Sequence, residues 1–157
     1  MKFLGRILST LVFALAAHAQ PTTLWTCGYG STERSQAFNA FDMTYAGEFV
    51  GAGYSYFADA DKMLIVKISS SGDTLWGTRF GRGWDDYAFA VETVPDGRIL
   101  AAGYTKTGTS VRDMRAVMVS ADGDSLWSEV YTGPTDGSCL AILTSARSAE
   151  AMRLPGL

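Results

Sequence analysis

The order of apolar and polar residues along the chain predicts short strands separated by turns. In residues 87–94 the bulky side chains of Tyr87, Phe89 and Val91 alternate with small ones. The small residues are Ala88 and Ala90, so we expect the two sets on opposite faces of one strand. Three further stretches carry strand patterns, at residues 98–105, 114–120 and 125–131.

Turn-forming residues join these stretches. Pro95-Asp96-Gly97 separates the first two, and Asp122-Gly123 separates the last two. Glycine at such turns adopts positive φ without steric cost, and Asp closes the turn through its side chain. No stretch from residue 24 to residue 144 shows sustained helical periodicity with caps. We therefore predict antiparallel strands joined by hairpins.

The pattern recurs along the chain at a fixed interval. The pairs Leu24-Trp25, Leu75-Trp76 and Leu126-Trp127 are each 51 positions apart. This many coincidences at one spacing indicate three units that start at residues 24, 75 and 126. Further matches are Tyr29, Phe80 and Tyr131 after each pair, Ala37-Phe38 with Ala88-Phe89, and Gly53-Tyr54 with Gly103-Tyr104 after one skipped residue.

Four strands in each unit of roughly 40 to 50 residues are typical of a β-propeller blade. A sheet that is apolar on both faces is stable only when neighbouring sheets cover it. The sequence therefore predicts an all-β chain, a partial β-propeller of about two and a half four-stranded antiparallel blades. We interpret the Leu-Trp pairs as core packing, with Trp76 and Phe80 filling the gap between blades. The small residues Ala37, Ala40, Ala88 and Ala90 are expected on the innermost strands, close to the central channel.

The repeated motif resembles a known family. Gly-Asp-Thr-Leu-Trp is followed by Gly-x-x-x-x-Asp-x-x-x-Ala and then by Asp-Gly-x-x-x-x-Ala-Gly-Tyr-Thr. This pattern is similar to the β-propeller repeats of exported bacterial proteins called delta-60 or SBBP-type repeats, over residues 24–144. The resemblance implies a secreted or cell-surface protein without established catalytic residues. The first unit departs from the pattern, because Arg34 stands where the others have Asp85 and Asp136.

The chain is too short to close a propeller by itself. Residues 20–157 make 2.7 units of 51, whereas a ring of four blades needs roughly 200 residues. Residues 145–157 form an atypical tail without a strand pattern. We expect either a truncated or frame-shifted part of a longer protein, whose remaining blades complete the ring, or self-association of a short chain.

Residues 1–19 have the pattern of a signal peptide. Lys2 and Arg6 precede an apolar run at residues 7–17, and the small residues Ala17 and Ala19 flank a cleavage site before Gln20. The apolar run is shorter than the roughly 20 residues that a bilayer requires. The expected locations are secreted, periplasmic or cell-surface, with no membrane span.

Cleavage after Ala19 removes His18, the only histidine of the chain. Histidine-based catalytic sites and histidine-ligated zinc sites are then excluded from the mature protein. The net charge of −3 offers no basic patch for nucleic acid. We expect no catalytic residues, no metal and no cofactor. The alternative enzyme class is a propeller with a bound quinone cofactor.

Other residues are open to two interpretations. The acidic turns Asp122-Gly123-Asp124 and Ser71-Gly72-Asp73 suit calcium, but they are also ordinary turn formers. Aromatic side chains lie beside polar ones in residues 84–87 (Trp-Asp-Asp-Tyr) and 54–57 (Tyr-Ser-Tyr-Phe), which suits either a glycan site or packing. Asp59 and Asp61 are expected in a solvated loop.

The two cysteines are expected to be small buried residues. Cys27 and Cys139 lie in different parts of separate units, too far apart in a ring for a disulfide. The function predicted from the whole sequence is a non-catalytic exported scaffold or adhesion module. An extracellular glycan or protein is its expected ligand.

Overall fold

The computed structural model describes residues 23, 25–29, 35–57, 60–81, 84–106 and 111–133. These residues form two four-stranded antiparallel sheets and contain no helix. The strand order is β1-β2-β3-β4 in sheet 1 and β5-β6-β7-β8 in sheet 2, so every pairing joins sequence neighbours. The prediction of an all-β chain built from such sheets is confirmed. The two sheets do not close into a ring.

Sheet 1 has apolar and β-branched strands joined by tight turns. Its central strands contain the runs Val50-Gly51-Ala52 and Met63-Leu64-Ile65-Val66, which are buried. Central strands covered on both faces favour such continuous apolar runs. The strands are β1 (Gln36–Met43), β2 (Phe49–Phe57), β3 (Ala60–Ile68) and β4 (Thr74–Phe80).

Sheet 2 lies close to the predicted strand positions. The last strand agrees at both ends, and the other three differ from the prediction by one or two residues at their ends. The turns at residues 94–98 and 120–124 separate the strands at the predicted places. The strands are β5 (Asp86–Thr93), β6 (Ile99–Lys106), β7 (Arg112–Val119) and β8 (Ser125–Tyr131).

A β-bulge in β5 changes which side chains share a face. Ala88 pairs with Gly103, but Ala90 pairs with Ala102, so Phe89 is the extra residue. Directly paired residues point to the same face, and successive residues of a strand point to opposite faces. Ala88 and Ala90 therefore lie on opposite faces, and the expected strict alternation in this strand is wrong. The sequence pattern cannot reveal a residue that leaves the ladder.

The same bulge occurs in β1, and it corrects the alignment of the units. Phe38 pairs with Gly53 as Ala88 pairs with Gly103, which makes Phe38 equivalent to Ala88. Equivalent residues of the two sheets are therefore one position closer in sequence in the first two strands of each sheet than in the last two. In the last two strands, Met63 corresponds to Met114. The predicted match of Ala37-Phe38 with Ala88-Phe89 is shifted by one residue.

Both sheets contribute to one shared core. Sheet 1 faces sheet 2 through β2, β3 and β4, and sheet 2 faces sheet 1 through β5, β6 and β7. Burial of each large side chain contributes roughly 1.5–3 kcal/mol, so this core is the main force that joins the sheets. Its buried members are Val50, Ala52, Met63, Ile65, Phe80, Ala88, Ile99, Ala101, Val117 and Val119, with Trp76 and Val91 packed against them.

Hydrogen bonds also join the first strands of the two sheets. The amide of Asn39, the bulge residue of β1, donates a 2.8 Å hydrogen bond to the carbonyl oxygen of Ala88. The carboxylate of Asp42 accepts hydrogen bonds from the backbone NH and the hydroxyl of Thr93, at 2.7 and 2.8 Å. The side chains of β1 thus bind β5 directly.

The opposite face of sheet 1 is covered by residues 25–29. Leu64, Val66 and Ile68 form a second buried cluster there, packed against Phe38, Phe49 and Tyr29. Trp25 contacts Phe49 edge to face at 6.0 Å. Sheet 1 therefore lies between sheet 2 on one side and a short segment on the other.

Several sequence predictions fall on residues outside the described ranges. Among the described residues themselves, no helix is long and apolar enough to cross a membrane. The predictions concerned are the cleavage site at Ala17, Ala19 and Gln20, Leu24, Arg34, Asp59, Asp136, Cys139 and the tail at residues 145–157.

Candidate functional site

Trp76 joins the two sheets through a turn. Its indole Nε1 donates a 3.0 Å hydrogen bond to the carbonyl oxygen of Ala121, in the β7–β8 turn at residues 120–124. Lys67 donates to the same oxygen at 3.3 Å, and the hydroxyl of Thr78 donates to Gly123 O at 3.1 Å. Three side chains of sheet 1 therefore donate hydrogen bonds to the β7–β8 turn of sheet 2.

Trp25 makes the equivalent contact one sheet earlier. Its Nε1 donates a 2.8 Å hydrogen bond to the carbonyl oxygen of Ser70, in the β3–β4 turn at residues 69–73. Tyr29 adds a 2.6 Å hydrogen bond from its hydroxyl to Gly72 O. Burial raises the pKa of Tyr29, and the nearby Cys27 adds to this effect. Residues 25–29 thus contact sheet 1 as β4 contacts sheet 2.

The turns that receive these indoles require glycine. Gly72 and Gly123 have φ of +94° and +89°, a region that favours glycine. A Cβ on Gly72 would lie 2.9 Å from the ring of Trp25, and one on Gly123 would lie 2.8 Å from the ring of Trp76. The positive φ and the indole that lies against the glycine therefore explain why glycine recurs before the second and third Leu-Trp pairs.

Two leucines of the Leu-Trp pairs, Leu75 and Leu126, do not belong to the core. Leu75 and Leu126 are 48% and 50% exposed, so the prediction that both residues of each pair are core residues is wrong for leucine. The pairing passes from Trp76 directly to Thr74 and from Trp127 to Ser125, which leaves each leucine as a bulge residue. Trp127 itself is half-buried in β8.

The glycines of the Gly-Tyr pairs allow close approach of two strands. A Cβ on Gly53 would overlap the carbonyl oxygen of Ala37, and a Cβ on Gly103 would overlap that of Tyr87. Both glycines lie opposite the residue that precedes a bulge. The adjoining tyrosines, at positions 54 and 104, belong to an aromatic group.

Four aromatic side chains meet where β5 approaches sheet 1. We call this group the tyrosine cluster; it consists of Tyr54, Tyr87, Phe89 and Tyr104. The ring centroids of Tyr54 and Tyr87 are 4.7 Å apart, and those of Tyr87 and Tyr104 are 5.2 Å apart. Phe89 stacks on Tyr87 at 6.2 Å with an interplanar angle of 10°. All four rings are half-buried. The structure thus brings together one residue from each of the two stretches that suited either a glycan site or packing.

Charged groups surround the tyrosine cluster. The hydroxyl of Tyr87 donates to the carboxylate of Asp61, and the ammonium of Lys106 is 2.6 Å from the carboxylate of Asp85. The guanidinium of Arg112 lies over the ring of Tyr104, 4.9 Å from its centroid. The cluster therefore offers ring faces next to hydrogen-bonding groups of both charges, a combination that suits sugars.

These contacts shift three pKa values. Burial raises the pKa of Tyr87 strongly, and its hydrogen bond to Asp61 raises it further. Burial also raises the pKa of Tyr104, although Arg112 and Lys106 act in the opposite direction. The hydrogen bond to Asp85 raises the pKa of Lys106. At neutral pH the hydroxyls of Tyr87 and Tyr104 therefore remain hydrogen-bond donors.

Asp86 lies in the interior, between the two sheets. It is fully buried, with Arg115 at 3.1 Å and Lys62 at 3.9 Å from its two oxygens. Because Asp86 and Arg115 belong to sheet 2 and Lys62 to sheet 1, the carboxylate links the sheets. Of the stretch at residues 84–87, Trp84 is 68% exposed and lies outside the tyrosine cluster.

The two acidic segments at residues 71–73 and 122–124 form hydrogen-bonded hairpin turns. Asp73 accepts a 2.8 Å hydrogen bond from Ser71, and its backbone NH donates to Ser69 Oγ. The backbone NH groups of Asp122 and Asp124 donate to Ser120 Oγ at 3.3 and 3.1 Å. The part of the chain that the structure describes contains no group of three His, Cys, Asp or Glu residues placed to hold a metal.

Cys27 differs from the prediction of a small buried residue. It is exposed and has a free thiol, because residues 25–29 cover sheet 1 only in part. A cavity of about 590 Å³ lies beside this segment on sheet 1. The cavity is lined by Cys27, Tyr29, Phe38, Leu64, Val66 and Gly77, among others.

Sequence reasoning missed the cationic partners of the tyrosine cluster and of Asp86. The expectation of Asp61 in a solvated loop is wrong, because Asp61 is half-buried in β3 and accepts the hydrogen bond of Tyr87. Lys106, Arg112 and Arg115 belong to strands whose alternation gives no sign of a site. No protein-family model matches the chain, and no curated protein matches it. The resemblance to delta-60 or SBBP-type repeats therefore stays a prediction from the motif.

Proposed function

We propose that the protein is a non-catalytic exported scaffold or adhesion module built from propeller blades. The observation that carries the proposal is a contact between an indole and a hairpin turn that occurs twice, in successive units. Trp25 and Trp76 occupy equivalent positions in successive units, and each donates to the hairpin turn before the next Leu-Trp pair, at Ser70 and Ala121. Contacts that repeat in the same direction propagate along an array, as they do in repeat proteins that present extended binding surfaces.

In this proposal sheets 1 and 2 are two neighbouring blades. Residues 25–29 take the place of the outermost strand of a preceding blade, since they repeat the contacts of β4. The remaining strands of that blade come from further blades of a longer protein or from another copy. The incomplete cover of sheet 1 by residues 25–29 and the cavity beside them support this interpretation.

The tyrosine cluster supports glycan binding as the adhesive activity. Aromatic rings stack on the apolar faces of sugars, and nearby carboxylates and ammonium groups bind hydroxyls. The alternative of a quinone-dependent enzyme stays a prediction from the sequence. The absorbance of the purified protein tests it, since a bound quinone is coloured and an adhesion module is not.

A glycan array with the purified protein tests the adhesive activity. We expect binding to one class of extracellular glycan, and a loss of about tenfold in affinity for Tyr104→Ala, equivalent to about 1.4 kcal/mol. The matched control is Tyr45→Ala, an exposed tyrosine in the β1–β2 turn, 74% exposed and outside the cluster. Equal affinity of the two variants would exclude the tyrosine cluster as the binding surface.

Export is tested separately. A fusion of residues 1–22 to a reporter enzyme that is active only outside the cytoplasm should give activity. N-terminal sequencing of the exported chain should begin at Gln20. An inactive fusion would contradict the exported location.

A further inference from the structure

Two tyrosines from different sheets lie in direct ring contact within the tyrosine cluster. Tyr54 belongs to β2 and Tyr87 to β5, and their ring centroids are 4.7 Å apart with an interplanar angle of 47°. Aromatic pairs in proteins have centroid separations of about 4.5–7 Å, so this pair lies at the close end of the range. Both side chains are half-buried, which confines the rings and leaves them accessible to an oxidant from solution.

The hydroxyl of Tyr87 has an acceptor for its proton. It donates a hydrogen bond to the carboxylate of Asp61. Burial raises the pKa of Tyr87, and this hydrogen bond raises it further, so the phenol is protonated at neutral pH. Loss of an electron makes the proton of a phenol strongly acidic, and a carboxylate within hydrogen-bond reach is placed to accept it. Asp61 is therefore positioned as the base for one-electron oxidation of Tyr87.

The described residues contain no disulfide between the two sheets. The single cysteine among them, Cys27, is a free thiol. From the ring contact and the proton acceptor we propose that Tyr54 and Tyr87 form a dityrosine cross-link site, at which a peroxidase with hydrogen peroxide joins sheet 1 to sheet 2 through one carbon–carbon bond. The bond has the role that disulfides have in many exported proteins. The inference goes beyond glycan binding and depends on no ligand.

The reaction couples the two phenol rings and consumes one molecule of peroxide. Each tyrosine gives one electron to the oxidised peroxidase and releases the proton of its hydroxyl, which produces two phenoxyl radicals. A bond forms between ring carbons ortho to the two oxygens, and the hydrogens on these carbons move to the oxygens and restore the phenols. The chain therefore loses two hydrogen atoms, and hydrogen peroxide is reduced to two molecules of water.

Tyr104 is the second tyrosine next to Tyr87 and the less favourable partner. Its ring centroid is 5.2 Å from that of Tyr87, farther than the centroid of Tyr54. The guanidinium of Arg112 also lies over the ring of Tyr104, and a cation at this position opposes removal of an electron from the ring. Phe89, the remaining member of the cluster, has no hydroxyl. We therefore expect the bond between Tyr54 and Tyr87.

Oxidation of the purified protein with a peroxidase and hydrogen peroxide tests the proposal. Dityrosine fluorescence should appear, and the mass of the chain should decrease by two hydrogen atoms. The product should migrate as a single chain on a reducing denaturing gel, which excludes disulfides and links between chains. Tryptic digestion assigns the bond, because residues 83–98 contain Tyr87 as their only tyrosine and residues 35–62 contain Tyr54. We expect these two peptides to be joined.

Conservative variants identify the partner, since residues 35–62 also contain Tyr45 and Tyr56. Tyr54→Phe keeps the ring but removes the hydroxyl, so the joined peptides should disappear. Tyr45→Phe is the matched control and should leave them unchanged. Asp61→Asn removes the proton acceptor and should slow dityrosine formation by roughly tenfold or more. Circular dichroism of each variant verifies that its sheets are retained.

Three outcomes would overturn the proposal. They are the absence of dityrosine from the oxidised wild-type protein, joined peptides that persist in Tyr54→Phe, and a bond found only between residues 83–98 and the peptide of residues 99–106, which contains Tyr104. An unchanged rate in Asp61→Asn would overturn the role of Asp61. The proposed function is tested separately, because the glycan array uses protein that has not been oxidised.

Discussion

The indole of Trp76 lies directly against Gly123, a residue of the other sheet with φ of +89°. The contact leaves no space for a side chain at residue 123, and the backbone conformation disfavours one. Two separate requirements for glycine therefore coincide at one residue. A glycine that has a positive φ but space for a side chain separates the effect of the backbone conformation from that of the contact.

Gly123→Ala should destabilise the protein more than Gly47→Ala. Gly47 has φ of +80° and nothing within 4 Å of where a Cβ would lie, so its substitution reports backbone strain alone, about 1–2 kcal/mol. The methyl group on residue 123 also displaces the indole, which adds about 1–3 kcal/mol. Urea unfolding of both variants measures the difference. Equal losses would show that the indole moves aside freely.

Trp76→Phe should weaken the joint between the sheets by about 1 kcal/mol. Phenylalanine keeps an aromatic ring in the core but cannot donate to the carbonyl oxygen of Ala121. Leu75→Ala is the matched control, because Leu75 is a half-exposed bulge residue and its loss should be within about 0.5 kcal/mol. Chemical denaturation measures both. A greater loss for Leu75→Ala would mean that the bulge, not the indole, holds the sheets.

The sequence allowed prediction of the strands and their hairpins, because turn residues and alternation are local properties. It did not allow prediction of the bulges at Phe89, Asn39, Leu75 and Leu126. A bulge is decided by how two strands fit together, and alternation within one strand carries no record of its partner. For this reason the predicted face of Ala90 and the predicted burial of Leu75 were wrong.

The candidate site was accessible from the sequence only in part. Tyr54 and Tyr87 belonged to two stretches singled out for their composition, but nothing in the sequence indicated that the stretches meet. Their contact depends on the stacking of sheet 2 on sheet 1, a tertiary relationship. Lys106 and Arg112 could not be anticipated, because charged residues at strand ends are ordinary.

Asp86→Asn should be strongly destabilising. The carboxylate is fully buried between Arg115 and Lys62, and its neutralisation removes the negative charge that holds the Arg115 guanidinium at 3.1 Å. Removal of one partner from a buried ion pair costs about 3–5 kcal/mol. Thermal and urea unfolding should show a large decrease in stability, with the secondary structure retained at low temperature.

The control for Asp86 is Asp96→Asn. Asp96 pairs with Arg98 at 2.7 Å, but its side chain is 51% exposed. Such surface pairs contribute at most about 1 kcal/mol, so this variant should unfold almost as the wild type does. A similar loss for both variants would argue that solvent reaches Asp86.

Stability should decrease at alkaline pH through Tyr87. Burial and the hydrogen bond to Asp61 raise the pKa of Tyr87 above its ordinary value of 10.0. The folded state therefore holds this proton more tightly than the unfolded state does, and the resulting stabilisation is fully present below pH 10 and lost as the pH rises further. The difference in unfolding free energy between wild type and Tyr87→Phe should be constant below about pH 10 and should shrink above it. Asp61→Asn should lower the pKa of Tyr87 towards its ordinary value, measured by phenolate absorbance, and an unchanged titration would exclude the Asp61 contact as a cause.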